Sequence, residues 1–373
     1  MKVLLHPRSV LLILGMLAIL TPAFAEQDAS AKIQAEIEHV RKALNAKPDN
    51  DPQWKDAKPT IAKALDQSSE DLHAGRLYVS LESLSTAVSS FRANERATDK
   101  SDEQLLKEGM PGIEAELKKA KLQLTTLDQR NQQSSDNVPV VVRALSEKAE
   151  DQAIPFLEGG RGFALLNDSP ENRANNYSSA LYYAGTAEGQ AEIAAFYETL
   201  NLQRRGSALP LRSFLSELQR LQDRVTASFQ PPLSVDHHAD FIVLNATLKL
   251  AKELDANRHY AGALYQYLSA VQRFGSLNAA APETTKQAEI KNALEKLRKD
   301  LSTSEQDSSL AQLFLERAES RLAKSPSGDD WKTAQVIAEQ VLPAYSAALK
   351  SAPAQDRPTV PGVTVTLVRW PFT

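Results

Sequence analysis

The clearest periodic signal in the chain runs from Leu250 to Val271, where apolar residues recur three and four apart on both sides of a polar break. Leu250, Ala251 and Leu254 precede Asp255 to His259, and Tyr260, Ala263, Leu264, Tyr267, Ala270 and Val271 follow. This spacing predicts two helices packed as an antiparallel hairpin. One-sided stripes of the same kind occur at Ile33, Ile37, Val40 and Leu44, at Leu65 and Leu72, and at Leu77, Leu81, Leu84 and Val88. Ile113, Leu117, Ala120, Leu124 and Leu127 make another, preceded by a capping-box pair at Ser101 and Gln104. Ser169-Pro170 opens a long helical region through Leu200. Helices are also expected over Leu209 to Phe229, Pro282 to Leu301, Ser304 to Leu322 and Asp329 to Leu349, with Pro343 kinking the last. Between them, Lys47 to Pro59 reads as a rigid proline-rich loop fixed to the core by Trp54, and Thr60 as the cap of the helix after it. Gly159-Gly160-Arg161-Gly162 reads as a turn between helices, because it lacks both the Walker lysine pattern and dinucleotide-binding spacing.

These elements imply an all-α fold of antiparallel helical hairpins, stacked as an irregular α-solenoid or helical-repeat array, with a short extended tail at the C-terminus. On Leu250, Ala251 and Leu254, then Tyr260, Ala263, Tyr267 and Ala270, the hairpin resembles the tetratricopeptide repeat over about one repeat length. Patterns starting at Leu77 and Tyr177 echo the one at Tyr260. The resemblance implies that the first helix of the pair lines a concave surface. Asn245, Lys249 and Lys252 share the side opposite Leu250 and Leu254, and would there meet a peptide or carboxylate of a protein partner. Solvated surface is the competing reading of those three.

The two ends depart from the helical pattern. Lys2 and Arg8, an apolar run from Val10 to Leu20 and the ending Ala23-Phe24-Ala25 have the three zones of a secretory signal peptide, with cleavage expected after Ala25. The apolar run is shorter than the roughly 20 residues a bilayer span needs, so no membrane span is expected after cleavage. At the other end, residues 351–373 carry four prolines and alternate Val363, Val365 and Leu367 with Thr364 and Thr366, which is strand periodicity. Pro231-Pro232 marks an internal boundary. The organisation expected is a leader over 1–25, a helical array over 26–230, helical hairpins over 231–350 and the tail over 351–373.

Composition narrows the function by exclusion. The chain has no cysteine, which removes disulfides, thiolate metal sites, cysteine nucleophiles and a lipoprotein anchor. Net charge is −4, with acid and base mixed along the chain, and no basic stripe suggests nucleic acid. An exported chain without cysteine fits the bacterial periplasm or secretion. Asp236-His237-His238-Ala239-Asp240 is the one sequence cluster rich in metal-ligand types; His237 and Asp240 have helical spacing for a shared ion, while the adjacent His238 diverges by about 100°. Helix capping is the competing reading there. Gly185 and Gly189 have the spacing of a hydrolase elbow but flank Ala187 where serine belongs. Tyr177, Tyr182, Tyr183 and Tyr197 cluster, with core packing preferred over an interface. The sequence therefore points to an exported, non-catalytic binding or scaffold protein of the cell envelope, with no cofactor. The alternative is a metal-dependent envelope enzyme using Asp236, His237, His238 and Asp240.

Overall fold

The computed structural model describes residues 7–132, 137–166 and 169–350, with side chains from Glu26 onward except those of 170 and 171. The tail expected over 351–373 and the side chains of the leader expected over 1–25 lie outside the described residues. What is described is all-α. The elements are α1 (Pro7–Asn45), α2 (Pro52–His73), α3 (Leu77–Thr98), α4 (Asp102–Gln132), α5 (Val140–Ala164), α6 (Pro170–Thr199) and α7 (Leu215–Ser228). There follow α8 (Leu233–Asp236), α9 (His238–Ala256), α10 (Tyr260–Asn278), α11 (Thr284–Ser302), α12 (Ser309–Leu322), α13 (Gly328–Val336), a π turn (Ile337–Val341) and α14 (Leu342–Lys350). Among the described residues the sole β-type contact is an isolated bridge between Ser207 and Gln306. No described helix is long and apolar enough to cross a membrane.

The stripes read from the sequence are the packed faces. Ile33, Ile37, Leu65, Leu81, Leu84, Leu254, Ala263 and Leu264 are buried in one apolar cluster that runs from α1 to α14 and crosses the Pro231–Pro232 break. A full leucine burial contributes about 1.5–3 kcal/mol, so these faces account for the stacking. A second cluster joins α4, α5 and α6 through Ile113, Leu117, Ala149, Ala180 and Leu181. Tyr260 and Tyr267 pack partly buried against the main core, as the hairpin reading requires.

Two helices far apart in sequence come closest. A Cβ placed on Gly189 of α6 would lie 2.6 Å from the Ser89 Cα of α3, and one on Gly185 would run into the Arg92 backbone. The spacing that resembled a hydrolase elbow is thus a seam of close helix contact, with Ala187 fully buried between the two glycines.

Several local expectations are corrected. The loop expected over Lys47 to Pro59 ends at Asp51, and the rest is helix: Asp51 caps α2, accepting from the Gln53 and Trp54 amides, and Pro52 sits at the first helical position, where its missing N–H costs nothing. Thr60 lies inside that helix and caps nothing. Trp54 does anchor the segment, 2% exposed and donating its indole N–H to Thr98 Oγ1 at 3.0 Å. The Gly159 to Gly162 cluster lies within α5 and makes no turn. Residues 209–214 are not helical, and α12 begins at Ser309 rather than Ser304, because Glu305 and Asp307 are drawn into backbone bonds with Ser207. Pro343, expected to kink the last helix, lies at the second residue of α14, two residues after the π turn Ile337–Val341. The capping boxes at Ser101–Gln104 and the Ser169 cap form as read.

The α2–α3 and α9–α10 hairpins share one turn. Gly75 and Arg258 both have left-handed backbone, at φ +74° and +64°. The next amide reaches back five residues in each: Arg76 N–H to Asp71 O and His259 N–H to Leu254 O, both at 2.8 Å. This is the Schellman arrangement, which satisfies carbonyls at the end of the first helix and aims the second one back.

Candidate functional site

Eight described α-helices start without a cap from their own N-cap side chain, and four of them, α3, α5, α7 and α10, share a solution. Each is served by an acid from elsewhere. Glu316 of α12 accepts from the Tyr78 and Val79 amides at 2.8 and 3.1 Å. Asp307 accepts from Val140 at 2.7 Å, Asp255 of α9 accepts from Phe214 at 2.5 Å, and Glu147 of α5 accepts from Gly262 at 2.7 Å. A buried carboxylate is costly alone, and a helix N-terminus offers both free N–H groups and a positive dipole end, so each solves the other's problem. Burial nevertheless pushes Glu316 up to about 8 and Glu147 up to about 7. At the centre, Arg317 pairs with Glu82 and Tyr265, whose hydroxyl also takes a bond from Lys148 at 3.1 Å.

One group of acids is not explained by helix starts. Asp128 in α4, Glu150 in α5 and His259 at the α9–α10 turn bring one potential ligand atom each within 4.8 Å of one another. Glu150 and His259 are 5% and 7% exposed, and Asp128 is half-buried. Glu150 also accepts from Asn131 Nδ2 at 2.7 Å, and Ser146 in turn donates to Asn131 Oδ1 at 2.7 Å. His259 Nδ1 is buried without a hydrogen-bond partner, as is Oδ2 of the neighbouring Asp151. Burial raises the Glu150 carboxyl above its ordinary range, with Asp128 and Asp151 adding to it; burial lowers the His259 imidazole. The group is not legible in the sequence, because its members are spread over α4, α5 and the α9–α10 turn.

The residues expected from sequence are placed differently. His237 Nδ1 lies 3.0 Å from Asp240 Oδ2, on an exposed surface. His238 turns its ring toward Phe229, 6.3 Å away, and Asp236 closes the short α8. Among the described residues, the one three-member group of potential ligands that converges is the Asp128 group, so His237, His238 and Asp240 are not brought together as a metal centre. Asn245 is engaged with Gln222 and the Phe241 carbonyl, at 3.1 and 2.9 Å. Lys249 stands 3.6 Å from Glu253, and Lys252 is half-buried.

The tyrosines divide into two kinds. Tyr177 and Tyr197 are buried, as core packing requires, whereas Tyr182 is 38% exposed. Tyr183 lies between Phe156 and Phe163 of α5, with ring centroids at 5.8 and 5.5 Å, and Tyr182 meets it edge-on at 6.0 Å. The glycines explain how. A Cβ on Gly160 would stand 3.1 Å from the Tyr183 Cβ and one on Gly159 3.9 Å from its ring, so the glycines of α5 leave the seat in which this ring lies. Beside it the chain exposes Phe163, Leu165 and Leu166 at 37%, 61% and 49%. A cleft of about 530 Å³ between α3, α4 and α6 is different in kind: Arg92 and Arg96 answer Glu192 and Glu188 at 2.6 Å, so its charges neutralise one another.

No family model matches this chain, and no curated protein or solved structure does either.

Proposed function

We propose that this protein is an exported, non-catalytic binding module of the bacterial cell envelope, whose α5–α6 aromatic platform receives an apolar segment of a protein partner. The observation that carries the proposal is the fixed stack of Phe156, Tyr183 and Phe163, continued by exposed Leu165, Leu166 and Tyr182. A pre-stacked aromatic surface loses little conformational freedom on binding, and tyrosine adds a polar tip, which is why such residues concentrate at interfaces. Exposed apolar side chains beside a stacked aromatic cluster of this kind favour an interaction site. The α9 face of Asn245, Lys249 and Lys252 is less suited, because Asn245 is already hydrogen-bonded to its neighbours and Lys249 faces Glu253.

The test is capture from an envelope extract by the chain beginning at Glu26, set against a Phe163→Ser, Leu165→Ser, Leu166→Ser variant of unchanged helicity. A protein held by the first and released by the second supports the proposal. Equal retention by both, or loss only on Lys249→Ala and Lys252→Ala, contradicts it.

A further inference from the structure

We propose that Asp128, Glu150 and His259 form a site for one divalent first-row transition ion, of which zinc is the best match to the donor set. Two carboxylates and an imidazole make a mixed oxygen and nitrogen set, which suits zinc, manganese or ferrous iron better than the all-oxygen shells of magnesium and calcium. The chain has no thiolate to draw a softer ion.

The geometry is that of a built site. His259 is held at both ends of its backbone, donating to Leu254 O at 2.8 Å and accepting from the Ala263 amide at 2.9 Å. Its backbone is thus fixed where α9 turns into α10, and its Nδ1 is buried without a partner. Glu150 is oriented by Asn131, which is oriented by Ser146; outer partners of this kind orient metal ligands. Glu147, one turn earlier on α5, ties that helix to the start of α10 and fixes the distance between Glu150 and His259.

The charge balance points the same way. No lysine or arginine pairs with Asp128, Glu150 or Asp151 among the described ion pairs: Arg130, two residues from Asp128, stands 3.6 Å from Glu198, Lys148, two residues from Glu150, donates to the Tyr265 hydroxyl at 3.1 Å, and Arg143 lies 3.8 Å from Glu147. Elsewhere the buried acids of this protein are answered by helix N-termini or by arginine. Here two carboxylates face each other beside an imidazole, an arrangement that a dication neutralises and a protonated pair only half satisfies. Half-buried Asp128 provides the way in.

The test uses the full chain, purified without a histidine tag, stripped by a chelator and titrated calorimetrically with zinc chloride, with manganese and magnesium chlorides in parallel. About one zinc per chain is expected, not displaced by excess magnesium. Asn131→Ala is expected to weaken zinc binding roughly 10–100-fold, and Glu150→Gln and His259→Gln at least as much. Circular dichroism confirms folding of each variant; Glu150→Gln, which keeps the shape and the bond to Asn131, carries the test if His259→Gln does not fold. No stoichiometric zinc, retention of binding by Glu150→Gln, or loss of binding on His237→Ala with His238→Ala overturns the proposal.

Discussion

At the residue that follows the left-handed turn, the α2–α3 hairpin holds Arg76 and the α9–α10 hairpin holds His259. Arg76 bonds Asp71 at 2.7 Å and closes its turn on itself. His259 has no such partner on its own hairpin, and its ring faces Asp128 and Glu150 from two other helices. Both hairpins then start their second helix on a distant glutamate, Glu316 for α3 and Glu147 for α10. The backbone device is the same, so the difference lies in one side chain. In the first hairpin that position is spent on the fold; in the second it is left available for a ligand.

The largest effect that would break this comparison is loss of the shared device. Glu316→Ala leaves the Tyr78 and Val79 amides without an acceptor in a buried setting, and is expected to cost about 2–4 kcal/mol in urea denaturation, given roughly 1–3 kcal/mol per buried unsatisfied donor. Ser327→Ala, which removes a local and exposed cap on α13, is expected to cost only about 1 kcal/mol. Equal costs would show that the distant glutamate is an ordinary cap.

A smaller effect sharpens the turn itself. Gly75 has open space around a notional Cβ, so Gly75→Ala tests backbone strain alone and is expected to cost about 1 kcal/mol. Arg258 carries that strain already, and Arg258→Gly is expected to recover up to about 1 kcal/mol, less the entropy glycine adds to the unfolded chain. Opposite signs from the same turn position, read as shifts in thermal midpoint, confirm that the two turns are equivalent.

The smallest effect is with pH. Glu316 and Glu147 hold their protons to about 8 and about 7, above the 4.5 of an unperturbed glutamate. A raised folded value favours the folded state below the unfolded one, and that contribution disappears as pH rises through the folded value. Thermal stability without added metal is therefore expected to fall between about pH 4.5 and 8 and to level off above that, and Glu316→Gln to make the descent shallower. A midpoint that rises over this range contradicts the assignment.

The sequence shows helices where their stripes and caps are local. The Leu250–Val271 hairpin, the Ser101–Gln104 box and the Ser169 cap could all be read because each depends on residues a few turns apart at most; the anchoring of Trp54 was legible from its size and apolar character, although its partner Thr98 is 44 residues away. Proline misled at α2, since Pro52 starts that helix and Pro59 is carried inside it. Glycine misled at α5, since Gly159 and Gly160 make room for Tyr183, a residue on another helix. The distant caps were not legible at all: Glu316 and Tyr78 are 238 residues apart, and nothing around Tyr78 signals that its helix needs an acid from α12. The His259 group was hidden for the same reason, while the adjacent histidines 237 and 238, conspicuous in sequence, diverge in space.

Amide hydrogen exchange at Tyr78, Val79 and Gly262 tests the central claim most directly. First-turn amides have no intrahelical acceptor and ordinarily exchange fast. Held by Glu316 and Glu147, these three are expected to exchange as slowly as the interiors of α3 and α10, and to lose that protection in Glu316→Ala and Glu147→Ala respectively. Exchange as fast as that of the exposed first turn of α13, or protection that survives both substitutions, would contradict the account.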